Sequence, residues 1–281
     1  MLRNVSQSYG TLDKYMNQLS TGKKINRPSD DPVIAMRGIS YRSELSKVQQ
    51  YERNIGEVHS WMDNTDDALD EVGKVLHRLR ELTVQASNDT YEENQRNNVS
   101  QEVQELTEHL KDIANTKVNN KYIFSGTMTT EPRFENGVAN ANVNSDDVLI
   151  EVSDGIIINA NVSGDEIFSE DFFNQLNGLY NTLNSPEASS EEISAYIGQI
   201  DSHEQVILNE RADLGARMNR VELIENRLGQ QEVSTTRLLS NNEDADIEEV
   251  IMNLVMQESV HRAALGAGAR VIQPSLLDFL R

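Results

Sequence analysis

No cysteine occurs in the 281 residues, which excludes a disulfide scaffold, a zinc ribbon and thiol catalysis. No uninterrupted apolar run approaches the roughly 20 residues that span a bilayer, so no membrane contact is expected. Residues 1–10, MLRNVSQSYG, lack the apolar stretch and cleavage site of a secretory signal peptide. Positive charge is scarce: 25 Lys and Arg stand against 46 Asp and Glu, a formal net charge of −21. Phosphate backbones are bound by clustered cations, so this balance argues against a nucleic-acid partner and none is expected. Aromatic residues make up 5% of the chain and prolines number five. Such poverty predicts long helices rather than a wide globular core; the length suits one or two domains.

The charge is uneven. Residues 1–43 hold seven bases, Arg3, Lys14, Lys23, Lys24, Arg27, Arg37 and Arg42, against Asp13, Asp30 and Asp31, a net of +4. From Ser259 onward Arg262, Arg270 and Arg281 face only Asp278, a net of +2, which leaves −27 for the middle. The two ends resemble each other and differ from what lies between.

From Val48 the apolar positions recur every seven residues at Val48, Ile55, Met62, Leu69, Leu76 and Thr83, with Tyr51, Val58, Thr65, Val72, Leu79 and Ala86 three places later. That is a coiled-coil seam. It predicts a helix over about 44–88, roughly 68 Å long, with Asn88-Asp89 as its stop. A shorter helix carries Val99, Val103, Leu106, Leu110 and Ile113 and is expected to end at Asn119-Asn120. The seven-residue period returns at Ile193, Ile200, Ile207, Leu214, Val221, Leu228 and Thr235, supported by Ile197, Met218 and Leu239. Pro186 and Ser189-Ser190-Glu191-Glu192 mark the entry of this helix, which would run over about 191–239, roughly 73 Å. Two helices of matched length, each with one narrow stripe, bury those stripes against each other in an antiparallel rod. The fold class is therefore mainly α, an elongated coiled-coil-like rod with a β-rich insertion and amphipathic helical termini.

The insertion is residues 127–170, rich in Asn, Gly, Asp, Val and Ile. Val148–Val152 and Ile156–Val162 flank Ser153-Asp154-Gly155, and Asp-Gly between β-rich runs signals a hairpin. A small β module projecting from the rod's far end is expected, with further turns at Gly137 and Gly164. At the ends, Leu2, Val5, Tyr9, Leu12, Met16 and Leu19 share one face. Residues 247–280 offer Ile247, Ile251, Leu254, Val255, Leu265, Val271, Ile272, Leu276, Leu277, Phe279 and Leu280. These faces lie beyond the rod and need partners, each other and neighbouring copies, because large exposed apolar surface marks an interaction site. The loop Asn26–Pro32 is a rigid turn and helix start joining base to rod.

Sites of chemistry are not apparent. The histidines, His59, His77, His109, His203 and His261, are too far apart in sequence for a zincin pair, and each reads as a solvated or interfacial residue. Asp63–Glu71 superficially resembles a calcium loop, yet it lacks the glycine at the sixth place and has Lys74 at the twelfth. It keeps the heptad, and so reads as a solvated acidic helix face. Gly266-Ala267-Gly268 lies in an Ala-rich helix where small residues permit close helix contact. No phosphate-binding loop or nucleophile elbow is present. No enzyme, cofactor or metal is expected.

Four stretches carry a resemblance. Residues 18–32, QLSTGKKINRPSDDP, resemble the LSTG-x-RIN and DD stretch of bacterial flagellins, in the version typical of the flagellar hook-associated protein 3 family. Residues 120–126, NKYIFSG, and 164–168, GDEIF, resemble internal elements of that family. Residues 263–270, AALGAGAR, followed by 275–280, SLLDFL, resemble its C-terminal signature. The resemblance implies a terminal polymerisation domain (1–43 with 245–281), a helical rod domain (44–126 with 180–244) and a β-rich outer module (127–179). It also implies a ring of copies between hook-associated protein 1 and the first flagellins, an extracellular place on the flagellum after unfolded export through the flagellar type III channel, and a dedicated export chaperone. The expected subunit-interface and chaperone-binding residues are Leu12, Leu19, Ile25, Leu254, Leu265, Val271, Ile272, Leu276, Leu277 and Leu280. Flagellin itself is the nearest rival reading, and an extracellular enzyme on a flagellin-like frame a more distant one.

Overall fold

The computed structural model describes residues 2–88, 93–135 and 137–272. Its elements, in order, are α1 (Leu2–Thr21), α2 (Pro32–Ala86), α3 (Glu93–Ala114), β1 (Lys117–Val118), β2 (Lys121–Tyr122), β3 (Phe134–Glu135), β4 (Val138–Ala139), β5 (Leu149–Ser153), β6 (Ile156–Asn159), α4 (Gly164–Ile167), α5 (Glu170–Leu183), α6 (Ser190–Glu243) and α7 (Ile247–Ile272). They fall into two compact units, residues 50–228 and residues 1–49 with 229–281.

The long helices begin where side chains satisfy their free N–H groups. At α2 the Asp31 carboxylate accepts from the amides of Val33 at 2.9 Å and Ile34 at 3.1 Å, and Pro32 supplies the pre-set φ of a first helical residue. The helix therefore starts twelve residues before the expected position 44: the caps set the boundary, whereas the heptad only shows where the stripe begins. At α6, Ser189 Oγ accepts from Glu192 N at 3.2 Å while Glu192 Oε2 accepts from Ser189 N at 3.1 Å. This is a reciprocal capping box.

In the unit of residues 50–228, Ile55, Met62, Leu69, Leu76, Val58, Val72 and Leu79 of α2 are buried, as are Ile193, Ile200, Ile207, Leu214 and Val221 of α6. Each such side chain contributes about 1.5–3 kcal/mol on leaving water. Thr65 and Thr83 occupy seam positions without orphaned hydroxyls, bonding the carbonyls of Trp61 at 2.8 Å and Leu79 at 2.7 Å. The pairs His59–Glu225, Asp66–Arg211, His77–Glu204 and Arg80–Asp201 show α2 and α6 running antiparallel.

The two stripes do not close on each other alone. α3 runs back along α2, with Arg78–Glu102 at 2.7 Å and Glu71–His109 at 3.1 Å. α5, which the heptad reading does not anticipate, packs against α3 and α6. Its sequence signals are present: Ser169 Oγ caps Phe172 N at 3.3 Å, acids fill the first turn, and Phe172, Phe173, Leu176, Leu179 and Leu183 form its buried stripe.

Other expectations are corrected. Asn119-Asn120, with φ of 49° and 65°, makes the turn of the β1–β2 hairpin, and α3 stops earlier at Ala114. The acidic face 63–71 is only partly solvated, because Asp66 and Asp70 hold Arg211 of α6 at 2.9 and 2.8 Å. The β5–β6 hairpin turns at Asp154-Gly155 as predicted, but it lies against the helices rather than projecting from them. Asn54 of α2 donates to Glu151 O at 2.7 Å, and Arg217 of α6 to Asn161 O at 2.8 Å. Gly164 opens α4 instead of forming a turn; a Cβ there would collide with the Phe124 carbonyl. Two stretches far apart in sequence, 120–126 and 164–168, are thus one cluster: the Phe124 and Phe168 rings meet edge-to-face at 5.0 Å, and Arg133 joins the Phe124 carbonyl to Asp165.

Of the two readings of His203, the interfacial one holds: it is buried where α6 meets α5. Its ring stacks on Phe172 with centroids 3.6 Å apart, and Nε2 donates to Ile167 O at 2.7 Å.

Two tests follow from this packing. Leu76→Asp places an unpaired carboxylate in a fully closed site and is expected to cost at least about 4 kcal/mol, whereas exposed Asp67→Ala stays within about 0.5 kcal/mol; denaturant unfolding of the two variants checks the register. Burial lowers the His203 pKa from 6.5 to about 4, so between those pH values the unfolded chain binds a proton that the folded chain refuses. Stability should fall as pH drops through that window, and thermal melting of His203→Gln should show a shallower fall than the unsubstituted chain.

Candidate functional site

Residues 18–32 build a clasp in the unit of residues 1–49 and 229–281. α1 closes with Gly22 N bonded to Gln18 O at 2.8 Å. The chain then pairs with the α6–α7 link: Lys24 N donates to Glu243 O at 2.6 Å, Ala245 N donates to Gly22 O at 2.8 Å, and Lys23 and Asp244 form an antiparallel bridge. Side chains repeat the connection. Lys23 Nζ lies 2.6 Å from Asp244 and 3.8 Å from Glu243, and Arg42 of α2 lies 2.6 Å from Glu243. The Lys23 ammonium and the Ser240 hydroxyl hold the Asp244 carboxyl below its usual range.

Glu243 is buried, and a buried carboxylate persists only when paired. Gly38 gives it room, since a Cβ at that position of α2 would overlap its Oε1. Asp30 sets the shape of the loop by accepting from the amides of Arg27 at 2.9 Å and Asn26 at 3.1 Å, which lowers its pKa. The turn and helix start expected at 26–32 are formed by these bonds and by the Asp31 cap.

The clasp delivers α1 and α7 side by side and antiparallel. Their contact is polar where it could have been apolar: Ser8 is buried and takes a 3.0 Å hydrogen bond from Gln257, and Tyr9 tilts over His261 with ring centroids 6.1 Å apart. Many apolar side chains nevertheless remain outside. Tyr9, Met16 and Leu19 of α1 are exposed, as are Ile251, Met252, Val255, Met256, Val260 and Leu265 of α7. Monomers seldom expose contiguous apolar patches above a few hundred Å² unless the patch binds something.

Of the residues singled out from sequence, Leu12, Ile25 and Leu254 are half-buried, and Leu19 and Leu265 are exposed. Val271 and Ile272 belong to the last turn of α7, while Leu276, Leu277 and Leu280 lie outside the described residues. The sequence reading missed Val33, Met36 and Ile39, exposed at three-residue spacing at the start of α2. It also missed Met252, Met256 and Val260. Their signal was the helical spacing itself, hidden upstream of Val48 by a heptad that begins later and on α7 by a stripe too broad for an a/d template. Within this chain a Cβ at Gly266 would meet nothing within 4 Å, whereas Gly268 is buried. Among the described residues no group of three or more His, Asp or Glu is placed to hold a metal ion, and no helix is long and apolar enough to cross a membrane.

Known proteins match this arrangement. The bacterial flagellin N-terminal helical region matches residues 1–129. Flagellar hook-associated protein 3 of Escherichia coli is 25% identical over 293 residues, covering 95% of this chain and 92% of that protein. The flagellar filament 31.3 kDa core protein of Treponema maltophilum is 27% identical over 279 residues, covering 95% and 92%. A flagellar hook-associated protein from Vibrio parahaemolyticus has the same fold, with a TM-score of 0.71 at 21% identity over 76% of this chain and 100% of that one. Its first 129 residues thus match the flagellin N-terminal helical region, and the chain is similar to flagellar hook-associated protein 3 over nearly its whole length.

Proposed function

We propose that this chain is a non-enzymatic structural adaptor of the bacterial flagellum, joining the hook, through hook-associated protein 1, to the flagellin filament. The observation that carries the reading is the end-to-end likeness to hook-associated protein 3, supported by apolar terminal helices that the chain itself leaves uncovered. Residues 1–43 with 245–281 act as the polymerisation domain, 44–126 with 180–244 as the rod and 127–179 as the outer module. Leu12, Leu19, Ile25, Leu254, Leu265, Val271, Ile272, Leu276, Leu277 and Leu280 meet neighbouring copies in a ring, and before export through the flagellar type III channel the same apolar tail is held by a chaperone. The likeness to a filament core protein supports a second reading, that the chain is itself a filament subunit.

Deleting residues 262–281 separates assembly from stability. The clasp and the Ser8–Gln257 bond remain, so thermal unfolding should change by no more than about 0.5–1 kcal/mol, while complementation of a strain lacking the junction protein should fail and hooks should stay bare. Filaments growing normally from the truncated chain would remove this tail from the assembly surface. Rescue of a flagellin-null strain by the full chain, without rescue of the junction-null strain, would favour the filament-subunit reading.

A further inference from the structure

The chain has eight methionines. In the unit of residues 1–49 and 229–281 all four that the structure describes in side-chain detail are more than half exposed: Met16 at 55%, Met36 at 71%, Met252 at 65% and Met256 at 60%. In the other unit Met62 is closed off, Met218 is half-buried and Met128 reaches 43%. Met252 and Met256 sit one turn apart on α7, with Val255 between them and Val260 a turn beyond, so they belong to one exposed apolar face. Met36 lies between Val33 and Ile39 on a second such face, and Met16 beside Leu19 on a third.

A thioether in such a place has two properties that leucine lacks. It adapts to irregular partner surfaces, and it is oxidised where solvent reaches it. We propose that Met16, Met36, Met252 and Met256 are modification sites at which peroxide converts the free subunit to a form that cannot assemble, a switch reversed by methionine sulfoxide reduction. The proposal rests on the reading of the terminal unit as an assembly surface. In the reaction a sulfur lone pair attacks one oxygen of hydrogen peroxide and the O–O bond breaks. A sulfur–oxygen bond forms, and the departing hydroxide takes a proton and leaves as water. The thioether loses two electrons and the peroxide gains them; a thiol-dependent reductase returns them. Each sulfoxide is a strong dipole that must be stripped of water when its face docks. The helices themselves persist, because the modified atoms face solvent and Ser8, Gln257 and the Glu243 clasp are untouched. Oxidation is therefore open to the unassembled subunit and closed to the docked one.

The test treats the purified full chain with hydrogen peroxide, maps sulfoxides by peptide mass spectrometry, and measures seeding of filaments when the chain and then flagellin are added to hooks from a junction-null strain. Met36, Met252, Met256 and Met16 should oxidise first, Met128 later and Met62 last, with helicity by circular dichroism unchanged. Seeding should fall by about tenfold or more, as expected for losing one well-packed apolar contact, and return after incubation with both sulfoxide reductases and thioredoxin. In the chain with all four changed to leucine, seeding after peroxide should equal that variant's own seeding before it, whatever its starting level. Full activity of the oxidised chain, or equal loss in the leucine variant, overturns the proposal. Untreated chain that seeds nothing overturns the assembly reading, and the switch with it.

Discussion

A narrow apolar stripe is the constraint from which the architecture follows. When two positions in seven are apolar, a helix cannot bury its stripe within itself and must find neighbours. In the unit of residues 50–228 it finds them: α3 and α5 join α2 and α6, and the seam from Ile55 through Leu79 and from Ile193 through Val221 is closed from water. In the unit that holds the termini the same need is only half met. α1 and α7 touch partly through Ser8, Gln257, Tyr9 and His261, and while Val250 is buried and Leu12 and Leu254 are half-buried, much of the apolar surface of both helices faces out. One sequence rule yields a finished core in one unit and an unfinished one in the other.

Charge then does what the stripes cannot, which is to set register. An antiparallel pair of heptads can slide by seven residues with little change in apolar contact. The crossing pairs Asp66–Arg211, His77–Glu204 and Arg80–Asp201 do not survive such a slip. Exposed pairs of this kind are worth roughly 0–1 kcal/mol each, so their value is discrimination rather than strength. Glu243 is different. Sealed from solvent and held by Lys23 and Arg42, it ties the end of α1, the start of α2 and the α6–α7 link to one point, and leaving it unpaired would cost several kcal/mol.

The seam was legible from spacing alone: every heptad position from Val48 to Ala86 is buried except half-buried Tyr51, and every one from Ile193 to Thr235 is buried. Helix starts were legible where the capping chemistry was read, as at Ser189 and in the 26–32 loop, whereas the apolar stripe alone put the start of α2 near position 44. The β5–β6 turn was written in Asp154-Gly155. What spacing could not reveal was tertiary. Asn119-Asn120 looked like a helix stop because Asn serves both caps and tight turns. Gly164 looked like a turn because its function, admitting the Phe124 carbonyl, depends on a residue forty positions away. His203 stayed open between solvated and interfacial because its stacking partner sits on α5, an element absent from the reading. On α1 the half-buried and exposed states of Leu12 and Leu19 were beyond reach, since they depend on which face α7 presents.

The cluster of Phe124, Arg133, Gly164, Asp165 and Phe168 has a structural corollary. It pins the two ends of the intervening chain together on the bundle, so what lies between is a closed loop whose termini do not move when its contents change. Closing a loop twice as long costs only about 0.6 kcal/mol more, and that cost is carried by the pin rather than by the seam. The segment between Arg133 and Gly164 is in this sense an exchangeable cassette: a foreign sequence spliced between those two pinned ends would inherit their spacing and orientation.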